Sequence, residues 1–290
     1  MKIVKPLSAE GISGWPIPGP DMKTRVGIPA KRLFLRIVPL LLILALWQAL
    51  ATGIWFFRSV PFPTPAVTLQ RLTEALMGRE LMDHSIYRHT LDSLWRWAYG
   101  FFAASTGGVL FGLAAGWWRA LDRLTSPVVQ VLQLIPGLAW IPVALLLFGV
   151  GENATCFMIA VTAFAPVAIN VTDGVKQVDT RYIRAAQMMG ASGKVLFLRV
   201  LLPGALPQII SGLRVGLGNS WRVVVAAEMV VGTGSGLGYA IVQSRWSMDY
   251  TASFACIIVI AMIGLLVDHV LFRRLEKLTI RRWGLHGRDI

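Results

Sequence analysis

Six apolar runs of about 20 residues constrain this sequence more than any other feature. An α-helix of that length crosses the hydrocarbon core of a bilayer, and in lipid each backbone amide and carbonyl must form its hydrogen bonds within its own segment. The runs therefore predict an all-α membrane protein with six transmembrane helices. We expect these helices at residues 37–57, 98–118, 127–150, 153–172, 209–232 and 252–272.

The rest of the sequence predicts a membrane domain between two tails. Residues 1–33 are polar and contain several prolines and glycines, which is typical of a flexible segment. The membrane domain is expected over 34–275, with one hydrophilic segment at 58–90 and another at 173–208, and residues 276–290 form a short C-terminal tail. Charged residues make up only 15% of the chain, against about 25% in soluble domains, which agrees with a membrane protein.

The distribution of lysine and arginine predicts the orientation of the helices. If the N-terminus lies in the cytoplasm, 20 of the 28 lysines and arginines fall on the cytoplasmic side and 6 on the other side. Cytoplasmic segments of membrane proteins carry such an excess. Both termini and segment 173–208 are therefore expected in the cytoplasm, with 58–90 on the other side of the membrane. The net charge of +13 then reflects topology, and we expect lipid rather than nucleic acid around the chain.

Segment 173–208 contains the signals of two short helices that meet at a glycine. In order they are a helix cap, a helix, a glycine, a second cap and two prolines: Asp179, 180–189, Gly190, Ser192, Pro203 and Pro207. Aspartate and serine cap helix N-termini, glycine suits a helix end, and proline ends or redirects a helix. We expect a rigid bracket on the cytoplasmic surface, with a second helix that ends at the prolines.

These segments resemble the permease subunits of ATP-binding cassette importers. "AAQMMGASGKVLFLRVLLPGALP" (185–207) is similar to their signature loop, in which Glu-Ala-Ala is followed by Gly-Ala, a helix, Leu-Pro and a second proline. Arg184 stands where the family has the glutamate. "HTLDSLWRWAYGF", "LQLIPGLAWIPVALLLFGVGE" and "VVAAEMVVGTGSGLGY" resemble the branch that imports nitrate, sulfonates, taurine or bicarbonate. The resemblance covers about residues 60–285 and leaves the solute open.

The resemblance implies a type I importer fold in a bacterial inner membrane, with segment 58–90 in the periplasm. Two copies of the permease would form the path. Two ATPase subunits would bind ATP and Mg²⁺ below the membrane, and a periplasmic or lipid-anchored binding protein would deliver the solute. The chain itself would be a transport subunit without a bound cofactor or metal, not an enzyme, since it lacks the G-x-x-x-x-G-K-[ST] phosphate loop. The bracket would be the coupling helix that docks into the ATPase. The residues expected to dock are Ala185, Ala186, Gly190, Ala191 and Ser192.

The third and fifth predicted spans carry the candidate residues of the path. They are Pro136, Trp140, Asn219, Arg222 and Glu228. A charge at the centre of a membrane helix costs roughly 2.5–3.5 kcal/mol, so it is expected to face protein or water. Arg222 lies about 12 Å beyond Arg214 at 1.5 Å per residue, which places it deep in the span. A cation there would attract an anionic solute in a channel of low dielectric constant.

Three alternatives stay open. Packing would also explain Pro136 and Trp140, and Arg214 could extend its charged end to the cytoplasmic surface. The solute could be an uncharged thiamine-precursor-like pyrimidine, since similar permeases serve that route. The chain could also be a secondary transporter driven by an ion gradient, with Glu228 as the coupling acid. Such transporters usually show two repeated halves, and the sequence shows no clear repeat.

Two glycine-rich stretches predict a helix contact and a turn. Gly108, Gly112 and Gly116 recur every four residues, which indicates close packing against a neighbouring helix. "GTGSGLG" at 232–238 predicts a flexible turn after the fifth span, not a phosphate-binding loop, because no strand precedes it and no lysine follows it.

Overall fold

A computed structural model describes residues 30–272 of the chain. Residues 1–29 of the predicted N-terminal tail and the whole predicted tail at 276–290 lie outside this range. In chain order the α-helices are α1 (Ala30–Arg58), α2 (Pro65–Leu76), α3 (Ile86–Trp117), α4 (Arg119–Leu134), α5 (Ile141–Phe148), α6 (Glu152–Lys176), α7 (Thr180–Met188), α8 (Gly193–Leu196), α9 (Leu202–Val231), α10 (Leu237–Trp246) and α11 (Tyr250–Val267). A 3-10 turn precedes α5, and π-helical turns follow α8 and α11: Gly137–Trp140, Phe197–Leu201 and Asp268–Phe272.

The described helices confirm an all-α fold with up to six membrane spans. Five helices are long and apolar enough to cross a bilayer, and the bent pair α4–α5 makes a sixth if it is counted as one span. The five are Val38–Arg58, Ile86–Trp117, Glu152–Lys176, Gly193–Val231 and Tyr250–Val270. Most of α1 belongs to a compact unit that ends at Leu50, and the other helices form a second unit that starts at Ala51.

Helix α6 packs against α3 through a row of glycines on α3. A Cβ atom on any of these glycines would lie between 2.6 and 2.9 Å from a side-chain carbon of α6, so only glycine permits the observed approach. The four pairs are Gly100 with Ile159, Gly108 with Val167, Gly112 with Val171 and Gly116 with Val175. The predicted close contact at 108, 112 and 116 is confirmed, and its partner is α6.

Helix α9 also contacts α6 at backbone distance. A Cβ on Gly212 would lie 2.7 Å from Cβ of Asn170, and one on Gly216 would lie 2.8 Å from Cγ2 of Val167. Val167 is fully buried. Helices α3, α6 and α9 therefore form a tightly packed core that fixes the position of α9 in the subunit.

A separate buried cluster joins α2 and α10 to the first turns of α3 and α11. It contains Leu72, Ala75, Leu81, Ile86, Ala240, Ala252, Ala255 and Cys256, from α2, the turn before α3, α10 and α11. Helix α2 starts as its sequence predicts, with Pro65 in the first turn and the hydroxyl of Thr64 accepting a hydrogen bond from the amide of Val67 at 3.4 Å. The segment 58–90 is thus mostly structured, and α3 begins at Ile86, well before the predicted start at 98.

The third predicted span, 127–150, is wrong as a single helix. It is broken after Leu134, and the two parts are bent by 102°. Pro136 has no amide hydrogen for the helical ladder, and the 3-10 turn Gly137–Trp140 lies at this bend, before α5. The bend lets Gly137 contact α9, where a Cβ would lie 2.5 Å from Cγ2 of Val223.

The prediction that Pro203 and Pro207 end a helix is also wrong. The chain stays helical for 39 residues from Gly193 to Val231, and we call this stretch the long helix. Pro203 lies in the first turn of α9, directly after the π turn, where the amide of Leu202 bonds to the carbonyl of Phe197. The wider π turn leaves room for a proline ring that would otherwise meet the carbonyl four residues earlier, so the helix continues.

We expect Gly112→Ala to destabilise the chain by about 1–3 kcal/mol through overpacking. The added methyl would lie 2.7 Å from both the carbonyl oxygen of Ala168 and Cβ of Val171. Gly107→Ala is the matched control, because it gains the same helix propensity while its methyl would come no closer than 3.8 Å to Phe164. Thermal unfolding in detergent measures both. Equal stability of the two variants would contradict close α3–α6 packing.

Candidate coupling and translocation sites

The predicted coupling segment forms a closed helical bracket. The side chain of Asp179 accepts a hydrogen bond from the amide of Arg181 at 2.8 Å and caps α7. The hydrogen bond from the Arg181 side chain, followed by that from its amide, lowers the pKa of Asp179, so this cap is charged at neutral pH. We call residues 179–192 the coupling bracket.

The C-terminal end of α7 is closed by a glycine turn. Gly190 has a φ of +84°, which L-residues rarely adopt. Its amide donates to the carbonyl of Gln187 at 2.9 Å, and the amide of Ala191 donates to the carbonyl of Ala186 at 2.9 Å. These two bonds are the paired contacts of a Schellman motif, and they set a fixed angle between α7 and the long helix.

The coupling bracket has one inner and one outer face. Ala186 is only 5% exposed, whereas Ala185, Gly190 and Ser192 are exposed and Ala191 is half-buried. Three large apolar side chains are also exposed there, and the sequence analysis did not include them: Tyr182 at 68%, Met188 at 84% and Met189 at 82%. An exposed apolar surface of this kind is typical of a contact with protein or membrane. Among the predicted docking residues, Ala186 therefore supports the bracket from inside.

A different face of the long helix carries Arg222. Exposed or half-buried residues recur at helical spacing along it: Ser211, Val215, Gly218, Asn219, Arg222 and Met229. The Nε atom of Arg222 donates to the carbonyl of Gly218 at 3.1 Å, and Nη2 donates to the side-chain oxygen of Asn219 at 3.4 Å. Within residues 30–272 no carboxylate forms an ion pair with Arg222, so its charge remains available on an open face.

The predicted residues of the third span lie beside this part of α9. Pro136 is exposed at the bend and Trp140 is half-buried against the cluster that includes Val223 and Ala227. Val223 also contacts Gly137 and directly follows Arg222 in the chain. The structure thus places the bend against α9 at Val223, the residue after Arg222, with Trp140 packed and Pro136 exposed.

Arg214 does not remain unpaired at the end of the span. It forms a two-bond ion pair with Asp268, with Nε to Oδ1 and Nη2 to Oδ2 both at 2.8 Å. A paired fork of this geometry joins the middle of the long helix to the end of α11. Of the two arginines predicted in the fifth span, Arg222 is therefore the one with an unneutralised charge among the described residues.

Glu228 is buried, and its prediction as a residue of the path is wrong. It is 1% exposed, and the Nη1 atom of Arg96, itself 2% exposed, donates to Oε1 of Glu228 at 3.0 Å. The hydroxyl of Ser93 donates to its carboxylate at 2.8 Å, and the amide of Gly238 donates to Oε2 at 3.0 Å. A buried carboxylate with these hydrogen bonds does not line a path. The alternative of a secondary transporter therefore has no support from Glu228 as a coupling acid.

Arg96 fastens the turn after α9 to the core. Its guanidinium donates to the carbonyl of Ser235 at 2.9 Å and to the hydroxyl of Ser235 at 3.0 Å, and its Nη2 reaches Glu152 at the start of α6 at 3.1 Å. The amide of Leu237 donates to the hydroxyl of Ser93 at 2.8 Å. The predicted flexible turn at 232–238 is therefore wrong for its second half, which is buried and hydrogen-bonded.

His89, one turn before Ser93 on α3, completes this network. The amide of Gly236 donates to Nδ1 of His89 at 3.1 Å, so Nδ1 carries no proton. The other ring nitrogen, Nε2, then carries the hydrogen and donates to the carbonyl of Leu81 at 3.1 Å. A Cβ on Gly236 would lie 2.4 Å from the carboxyl carbon of Glu228, so glycine is required at this position.

Arg96 is not among the predicted site residues, because the charge distribution places it outside the membrane. Its partner Glu228 lies 132 residues away, and no local pattern joins them. The available signal was the spacing of Ser93 and Arg96 on one face of a helix, within a run that continues into a membrane span. A charge in such a helix requires a buried partner.

We expect Arg96→Met to cost about 3–5 kcal/mol, since it leaves Glu228 charged and buried without a cation. Adding Glu228→Gln should recover part of that loss by removing the unpaired charge. Arg88→Met, at an exposed position two turns earlier on α3, is the control and should change stability little. Thermal unfolding in detergent compares the three. If the double variant is no more stable than Arg96→Met, the buried charge does not explain the loss.

Comparisons with known proteins agree with this architecture. Residues 108–280 match the family model described as "Binding-protein-dependent transport system inner membrane component". Two solved structures, an amino acid ABC transporter and the inward-facing methionine transporter MetNI, are similar in fold, each with a TM-score of 0.52. The amino acid transporter is 21% identical in sequence, and the match covers 76% of this chain and all of the transporter chain. MetNI is 22% identical, and the match covers 64% of this chain and 95% of the MetNI chain.

Curated relatives are more similar in sequence. A putative ABC transporter permease of Methanocaldococcus jannaschii is 36% identical over 84% of this chain and 90% of its own length. The taurine transport system permease of Escherichia coli is 34% identical over 86% of this chain and 90% of its own length. The bicarbonate transport system permease of Synechococcus elongatus is 33% identical over 78% of this chain and 82% of its own length. The helical core, the glycine-closed bracket and these matches agree, and the chain belongs to the family of binding-protein-dependent transport system inner membrane components, as a permease subunit of an ABC transporter and not an enzyme.

Proposed function

We propose that two copies of this chain form the path of an ATP-driven importer for a small anionic solute of the sulfonate, taurine, nitrate or bicarbonate type. An external binding protein delivers the solute, and two partner ATPase subunits bind ATP and Mg²⁺. The relatives named for taurine, aliphatic sulfonates and bicarbonate support this solute class. In this proposal the coupling bracket and both termini lie in the cytoplasm, as the charge distribution predicts.

The charge of Arg222 is the observation that supports an anionic solute. It lies eight residues beyond the paired Arg214, which corresponds to about 12 Å along the helix axis. Its side chain is exposed and bonds to neutral oxygens of Gly218 and Asn219, so its charge is not cancelled locally. Two such faces opposed across a dimer would line a path with cations, which lowers the energy of an anion that leaves bulk water.

The structure of the long helix supports coupling to the ATPase. Only Ala191 and Ser192 separate Gly190, in the turn of the coupling bracket, from Gly193, where the long helix begins. Arg222 lies on the same uninterrupted helix. When two ATPase subunits close on ATP, a bracket seated in each would move as a rigid body and tilt the face that carries Arg222.

We expect Arg222→Gln to lower ATP-dependent uptake of the transported anion at least about tenfold, since losing 1.4 kcal/mol of attraction already has that effect. Arg222→Lys keeps the charge and should retain most activity. The assay is uptake of labelled taurine, an alkanesulfonate and bicarbonate into proteoliposomes that contain the full transporter and its binding protein. Arg245→Gln, at an exposed arginine on α10, is the control for loss of one charge.

Two results would contradict this proposal. Unchanged uptake and solute preference in Arg222→Gln would exclude the arginine from the path. Uptake that continues without ATP or without the binding protein would exclude the importer mechanism.

We expect a cysteine at Met188 to cross-link to the partner ATPase. Met188 is 84% exposed beside the glycine turn, and it avoids the strain that a side chain would bring to Gly190. Met77→Cys, 87% exposed after α2, is the matched control and should not cross-link, because the predicted topology places it across the membrane. The native Cys156 and Cys256 are replaced first. Cross-linking from Met77 alone would reverse the orientation.

A further inference from the structure

A cavity of about 690 Å³ lies where α3 and α6 end and where α4 and α7 begin. Three cations line it, Arg119, Arg123 and Lys176, together with the carboxylate of Asp122. Its volume falls within the roughly 300–1,000 Å³ of sites that hold small molecules. We call it the boundary cavity, because two membrane spans end beside it.

The boundary cavity has an excess of positive charge. Asp122 is already used, since Nζ of Lys176 bonds to its Oδ1 at 2.6 Å. Arg119 and Arg123 are exposed, and neither forms an ion pair with a carboxylate in the part of the chain that the structure describes. Two guanidinium groups four residues apart on α4 thus lie on one side of the helix without an anionic partner.

An apolar groove of about 570 Å³ adjoins the boundary cavity. Leu110, Leu113, Phe197 and Leu198 line it, and Trp117 lines both the groove and the cavity. Tryptophan at the end of a membrane helix is typical of the interface between lipid and water. The cationic cavity and the apolar groove therefore share Trp117 as a common wall residue.

We propose that this site binds an anionic phospholipid, with the phosphate at Arg119 and Arg123 and one acyl chain in the groove. Basic cavities between membrane helices bind anionic lipid head groups by this complementarity of charge. The ligand must carry both an apolar chain and a net negative charge, because a free anion would leave the groove empty and a zwitterionic lipid would bring a second cation to the two arginines. The inference goes beyond the proposed transport function and does not depend on it.

The charge of the chain's own termini argues against them as occupants. Residues 1–33 contain six lysines and arginines against two acids, and residues 273–290 contain six against two. Both segments are therefore cationic, and the exposed arginines of the boundary cavity would repel them. An external anion that carries an apolar chain is the complementary partner.

A lipid at this site would contact the coupling segment. Thr180 and Ile183 of α7 line the boundary cavity, and Lys194 after the coupling bracket lines the groove. The phospholipid would fill the space between the end of α6 and the bracket, and so stiffen the bracket against the membrane core. The head group thus supports the element that the ATPase is proposed to move.

Native mass spectrometry of the full-length chain tests the proposal with phosphatidylglycerol and phosphatidylcholine of equal chain length. We expect phosphatidylglycerol to bind more tightly. The double variant Arg119→Gln/Arg123→Gln should weaken its binding about 25-fold, at about fivefold for each cation removed. The double variant Arg88→Gln/Arg245→Gln removes the same charge far from the site and should bind as the unmodified chain does. Inorganic phosphate should not displace the lipid.

Three results would overturn the proposal. Equal affinity for the two lipids would show that charge plays no part. Equal loss of binding in the two double variants would show only a general effect of net charge. Displacement of phosphatidylglycerol by an equal concentration of inorganic phosphate would show a simple anion site. Size-exclusion chromatography verifies that each variant is folded, which is expected because all four arginines are exposed.

Discussion

The continuity of the long helix is the constraint on which the rest of the structure depends. Its 39 residues from Gly193 to Val231 extend for about 58 Å, enough to connect the coupling bracket with the far side of a bilayer. A proline normally interrupts such a helix; here the π turn and the first-turn position accommodate Pro203, and α9 continues through Pro207 in its interior. One rigid element therefore carries the bracket, Arg222 and Glu228 in a fixed order.

Two kinds of contact position this element in the subunit. Glycines on α3 and α9 bring both helices to backbone distance from α6, where van der Waals packing replaces a hydrophobic effect that is weak in lipid. At the end of α9, the buried pair Arg96–Glu228 fixes the turn that leads to α10. The charges of the long helix then differ in their surroundings: Glu228 and Arg214 are paired, whereas Arg222 is exposed and forms no ion pair among the described residues.

The sequence could predict what local patterns specify. The four-residue spacing of Gly108, Gly112 and Gly116 identified a packed face, and Asp179 with Gly190 marked both ends of α7. The rest depends on distant or compensating contacts. No pattern near Arg96 indicates a partner 132 residues away, and the local rule that proline ends a helix does not include a π turn that accommodates it.

The same limit applies to the site residues. The sequence groups Arg222 and Glu228 as path residues because both are charged and lie within the fifth span, but burial separates them. Arg222 is exposed, and Glu228 is closed in by Ser93, Arg96 and Gly238. Spacing gives the angle around a helix and does not state what covers each face. That information comes from the packing of α3 and α10.

Distance measurement between spin labels tests the rigid connection most directly. Labels at Val195 and Met229, both exposed, would be placed on one copy of the chain in a complete transporter, with the other copy unlabelled. The account predicts an unchanged distance between the labels when ATP closes the ATPase subunits, while the distance between single labels on opposite copies changes. A shift of the distance within one copy would show that the helix bends at Pro203 or Pro207, and would contradict transmission through a rigid helix.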